Sequence, residues 1–202
     1  FTLITQMNKT RLEAFSDGVL AIIITIMVLE LKVPHETSIK ALLILWPVFF
    51  SYLISFIYVG IYWGNHHHLL HTVHHVNGKI IWANMGLLFC LSLLPFTSAW
   101  MGENIPEKIP LMLYSINLAV CAVAFYFLQM CVLPQYKTTS KLIDAVKKQK
   151  TKGMISLGIY IAAAVVSFIM PWLSIILIII PAILWVIPDK NIEEAFVEEH
   201  KE

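Results

Sequence analysis

Apolar residues fall in six runs, roughly 15–31, 41–63, 80–100, 110–133, 154–170 and 173–187, cut apart by charge, proline and polar clusters. A membrane-spanning helix needs about 20 predominantly apolar residues, and about 17 at the low end. The first four runs are long enough to cross. The last two are short and joined by little more than Pro171-Trp172. Their length fits a tight hairpin of two spans or a re-entrant pair buried in protein, and two spans is the preferred reading. The intervening stretch 134–153 is polar and lysine-rich, which predicts a cytoplasmic helix or linker, either solvated or lying near anionic lipid. After Pro188 the tail, 188–202, is acidic and suits a short helix. No secure 20–50-residue repeat is visible.

The pattern predicts an all-α integral membrane protein, a single domain over 1–202 with six transmembrane helices, and composition agrees. Of 202 residues, 58% are hydrophobic and 13% charged, where a soluble domain is about half apolar and about a quarter charged. Cys90, Cys121 and Cys131 all sit inside apolar runs and read as small buried hydrophobes. No cleavable signal peptide is visible. The net charge of +1 hides an uneven distribution. With both termini cytoplasmic, eleven cations lie inside: Lys9, Arg11, Lys79, Lys137, Lys141, Lys147, Lys148, Lys150, Lys152, Lys190 and Lys201. Three lie outside, Lys32, Lys40 and Lys108, which is the bias that orients membrane proteins. The expected location is the cell membrane, multi-pass, in contact with membrane lipid and with no nucleic-acid partner.

The first run carries the unusual chemistry. Arg11, Ser16 and Asp17 stand at its mouth and a lone Thr25 in its middle, and polar groups at membrane depth are costly and mark function or helix contacts. At about 100° per residue, Ile22, Thr25, Ile26 and Leu29 follow i, i+3, i+4, i+7 and share one stripe. Ser16 and Asp17 point elsewhere, and Asp17 lies six residues from Arg11, so it needs partners on other helices or other subunits. Periodicity alone would make the apolar stripe ordinary helix packing and Thr25 a packing hydroxyl.

Arg11-x-x-x-Phe15-Ser16-Asp17-Gly18, continued by Ala-Ile-x-Ile-Thr and Leu29-Glu30-Leu31-Lys32-Val33-Pro34, resembles the signature of the endolysosomal potassium channel family, here of its prokaryotic members with a single six-span block. Trp63-Gly64-Asn65-His66-His67 at the end of the second run adds to the likeness. The resemblance implies a homotetramer whose first helices line a central pore, a potassium-selective leak conductance, and no cofactor beyond the permeant potassium ion. It implies that Ile22 forms the tightest apolar ring, that Thr25 forms a hydroxyl ring near it, and that Ile26 and Leu29 are further pore-facing layers. Leu20 stands where the family commonly has Phe, on a face away from the stripe. No Thr-Val-Gly-Tyr-Gly carbonyl filter is present.

The later runs supply candidate partners. Ser51, Ser55, Tyr58 and Tyr62 form one polar stripe ending at Asn65, a docking face by the usual behaviour of membrane hydroxyls. Trp63, Asn65, His66 and His67, with Asn84 and Trp82, are candidates to hold Ser16 and Asp17. The run His66-His67-His68-Leu-Leu-His71-Thr-Val-His74-His75 is the rival signal: His67, His71 and His75 step by four, and His71-x-x-His74-His75 is a box of the kind membrane metalloenzymes use. Such enzymes need several boxes, and His35 and His200 are isolated. An interfacial helix with hydrogen-bonding, partly titrating histidines is the plainer reading. The function expected is therefore a potassium channel rather than an enzyme. A cation or proton-coupled carrier using Asp17 and the histidines as a relay is the alternative.

Overall fold

A computed structural model describes residues 8–71, 73, 75–135 and 140–186. The acidic tail 188–202 and linker residues 136–139 lie outside the described residues. Eight α-helices carry the fold: α1 (Lys9–Leu29), α2 (Ile39–Ile44), α3 (Trp46–His71), α4 (Gly78–Ser92), α5 (Leu94–Glu103), α6 (Lys108–Val132), α7 (Ser140–Val166) and α8 (Pro171–Val186). No strand occurs among the described residues. Four helical stretches are long and apolar enough to cross a membrane: Lys9–Leu29, Trp46–His71, Gly78–Glu103 and Lys108–Val132. α8 is a shorter apolar helix.

The helices overrun the apolar runs where nothing stops them. α1 begins six residues before Phe15, because the Asn8 side chain accepts from the Thr10 N–H and caps it there. α3 runs two turns past Trp63 and takes up His66, His67, His68 and His71. The lysine-rich stretch is helical from Ser140 and continuous with the next apolar run, so α7 is one long helix rather than a linker followed by a span. The third run breaks at Leu93. Pro95 has no N–H to offer Leu91 and sits in the first turn of α5, so α4 ends with the Leu93 N–H on Cys90 and α5 begins at Leu94.

α1 packs on α3, α4 and α5; α6 runs against α4, α5, α7 and α8; α8 also touches α3. The core is apolar with hydroxyls threaded through it. The Ser51–Tyr62 stripe is buried and docks inside the subunit: Ser55 Oγ and Tyr114 Oη are 2.8 Å apart, and Tyr58 donates to the Ile178 carbonyl of α8, one turn before Pro181. Ser174 Oγ donates to the Ala163 carbonyl at 2.8 Å and ties the α7–α8 turn. All three cysteines are free.

Candidate functional site

α1 has two unlike faces. Leu12, Ser16, Leu20, Ile23 and Met27 recur every three or four residues and are buried against α3, α4 and α5. That burial fixes the rotation of the helix about its axis, and the opposite stripe must then point out of the subunit. Ile22 is 58% exposed, Ile26 43% and Leu29 78%, and Thr25 is exposed with them. Arg11 and Phe15 continue this stripe toward the helix N-terminus and are exposed too. Thr25 donates its hydroxyl proton to the Ile22 carbonyl at 2.8 Å. Its oxygen therefore keeps lone pairs for whatever lies outside the subunit. A column of apolar side chains interrupted by one hydroxyl acceptor can repel water and offer an oxygen to a partly dehydrated cation.

At the N-terminal end of the same helix, buried polar groups hold α1 in place. Ser16 Oγ donates to the Leu12 carbonyl at 2.8 Å and accepts from Asn84 Nδ2 of α4 at 2.9 Å. Asn84 Oδ1 meets His66 Nε2 of α3 at 2.6 Å. Since the Asn84 amide nitrogen already donates to Ser16, its oxygen is the acceptor and His66 carries the proton on Nε2. All three side chains are at most 2% exposed. Asp17, turned 100° away, is reached by Trp63, whose indole N–H donates to Oδ1 at 3.0 Å. His67 stacks on Trp63 with ring centroids 6.2 Å apart. Lys9 donates to the His71 carbonyl at the C-terminus of α3, where the helix dipole favours a cation.

Other candidates lie apart from this cluster. Asn65 faces away from Trp63: it donates to the Ile61 carbonyl and accepts from Gln149 of α7, which in turn accepts from Gln129 of α6. Trp82 is 78% exposed. Arg11 and Asp17 form no ion pair; the pair present among the described residues is Lys32–Glu103 at 2.6 Å, tying the end of α1 to the end of α5. Glu103 holds the exposed Lys32 ammonium above its usual pKa through its hydrogen bond and its charge. Sequence reading passed over Glu13, which has a carboxylate oxygen buried without a hydrogen-bond partner one turn before Asp17. Being a carboxylate in the first turns of a membrane helix was its one visible signal.

The histidine run departs from its expected geometry. α3 ends at His71, so His75 falls beyond the helix and does not extend the face of His67 and His71, whose rings are 5.2 Å apart. His74 and His200 lie outside the described residues. Among the described residues no group of three or more His, Cys, Asp or Glu side chains is placed to hold a metal ion.

Comparison with known proteins gives a consistent set. Residues 11–95 match the family described as Endosomal/lysosomal potassium channel TMEM175. A protein named potassium channel from Chryseobacterium sp. (strain P1-3) is 48% identical over 192 residues, covering 95% of this chain and all of that one. The Homo sapiens protein named endosomal/lysosomal proton channel TMEM175 is 37% identical over 105 residues, 46% of this chain and 20% of that one. The crystal structure of a lysosomal potassium-selective channel TMEM175 homolog from Chamaesiphon minutus superposes with a TM-score of 0.78 at 30% identity, covering 90% of this chain and 97% of that one.

Proposed function

From the premise that this chain belongs to the TMEM175 family and is a potassium channel, we propose that it conducts as a homotetramer, with the exposed stripe of four α1 helices facing a shared axis. Each subunit is a single six-span domain in the cell membrane, with α7 and α8 as the last two crossings and both termini in the cytoplasm. Ile22 forms the narrowest apolar ring, a constriction that gates by expelling water. Thr25 sets four hydroxyl oxygens beside it, Ile26 and Leu29 line the remaining depth, and Glu30 at the outer end draws cations in. Conduction is of the leak type, and ion choice rests on side chains.

One observation carries this reading. A helix packed into its own subunit along Leu12–Met27 leaves Ile22, Thr25, Ile26 and Leu29 outward, with the Thr25 hydroxyl exposed among them. An outward hydroxyl oxygen in an otherwise apolar stripe is the feature that supports a pore-facing reading. Reconstitution into a planar bilayer under opposed potassium and sodium gradients is the test. The current should reverse near the potassium equilibrium potential, and Ile22→Ala should raise single-channel current severalfold. A current unchanged by Ile22→Ala would reject the constriction.

A further inference from the structure

An enclosed cavity of about 80 Å³ lies between α3, α6, α7 and α8, and α1 takes no part in its wall. Tyr58, Tyr62, Phe125, Tyr126, Tyr160 and Trp185 bring six aromatic side chains to it. Tyr62 meets Phe125 edge-on with ring centroids 6.0 Å apart, and Tyr58 meets Tyr160 in the same way at 6.0 Å. Lys150 and Met154, one turn apart on α7, are the exposed residues of the lining and mark its opening.

The amide, indole and phenol donors around this space have partners, with one exception. Gln129 donates to Gln149 at 2.9 Å, Gln149 to Asn65 at 3.2 Å and the Trp185 indole to Ser156 Oγ at 2.9 Å. The Tyr58 hydroxyl donates to the Ile178 carbonyl. The Tyr62 hydroxyl makes no hydrogen bond among the described residues, although the side chain is only 9% exposed. Its oxygen is not sealed from water as the unpartnered Glu13 oxygen is, so it opens on the cavity that Tyr62 lines.

That combination selects the occupant. The volume is several times the roughly 10–15 Å³ that one water needs, but each water there would need two to four polar partners. The exposed surface of the wall is almost wholly apolar. An apolar body with one polar end matches it better, and flat rings pair with aromatic walls through offset and edge-to-face contacts. A cation is disfavoured, because Lys150 Nζ already lies 5.6 Å from the Tyr126 ring centroid and holds a positive charge at the opening. We propose that the cavity binds a small neutral phenol, its ring among the aromatic side chains and its hydroxyl on that of Tyr62.

The test uses 4-fluorophenol and its hydroxyl-less counterpart fluorobenzene, titrated against the detergent-purified full chain and followed by fluorine nuclear magnetic resonance. Tyr62→Phe keeps the ring and removes the hydroxyl. It should weaken 4-fluorophenol by about fivefold, the worth of one net hydrogen bond, and leave fluorobenzene within about twofold. Because the hydroxyl has no partner in the protein, the same variant without ligand should melt within about 2 °C of the unmodified chain. A Cβ on Gly153 would meet nothing within 4 Å, so Gly153→Leu, or Ala122→Leu if the first melts early, extends into the space and should weaken both compounds. Binding of 4-fluorophenol unchanged by Tyr62→Phe, equal loss of both compounds in that variant, or unchanged binding in the filled variant would each overturn the site. A clear drop in the melting temperature of ligand-free Tyr62→Phe would do so as well, since the hydroxyl would then already be engaged. Potassium current plays no part in these readouts, so their outcome stands apart from the conduction path proposed above.

Discussion

Thr25 and Asn84 show what single residues do here. Thr25 sits in a helix with its hydroxyl proton on the Ile22 carbonyl, so its oxygen acts as an acceptor and nothing else. Thr25→Ala deletes that acceptor while leaving the apolar ring, and conduction should continue with weaker preference for potassium over sodium. Unchanged reversal potentials in mixed potassium and sodium would refute the role. Asn84 is the only link between Ser16 and His66 in the described network. Asn84→Ala leaves two buried polar groups short of a partner, which costs about 1–3 kcal/mol and should lower the melting temperature of the purified protein. Sequence showed that Ser16 and Asp17 needed partners, because uncompensated polar groups at membrane depth are expensive. It did not show which neighbour goes where. Trp63 and Asn65 are two apart, hence about 200° apart on α3, and only the packed bundle sends the first to Asp17 and the second to Gln149.

At the scale of the element, the apolar runs located the helices well and their ends poorly. Hydropathy marks where a chain tolerates lipid, whereas helix ends follow caps and breaks: Asn8 starts α1 early, Pro95 divides the third run, and α3 and α7 continue into polar sequence because no breaker intervenes. Close helix approach is another element property. A Cβ on Gly102 of α5 would run into Ser51 Oγ and come within 2.9 Å of the Val48 Cα of α3, and the latter is backbone that cannot swing aside. Gly102→Ala should therefore destabilise by about 1–3 kcal/mol through overpacking. Gly158→Ala, where nothing lies within 4 Å, serves as the control and should hold or gain stability. Thermal unfolding of both variants checks the pair; equal melting temperatures would mean α5 and α3 are looser than the structure has them.

For the whole molecule, the anchoring network and the outward stripe belong to one helix, so what holds α1 in its subunit also aims its other face. Asp17 is exposed on the subunit surface with Trp63 as its donor, and an exposed carboxylate at that depth calls for a neighbour beyond the single chain. Asp17→Ala should reduce the oligomer on size exclusion in mild detergent before it alters the reversal potential of channels that still assemble. An intact oligomer with shifted selectivity would move Asp17 from assembly to ion choice.

The six apolar runs, the uneven spread of lysine along the chain and the polar mouth of the first helix were legible in the chain alone, since lipid solubility and the 100° step of a helix depend only on which residues follow which. The rotation of α1, the path from Ser16 through Asn84 to His66, and the early end of α3 that leaves His75 off the histidine face were decided by tertiary packing. Each depends on which surfaces of distant segments meet, and no local pattern carries that distance.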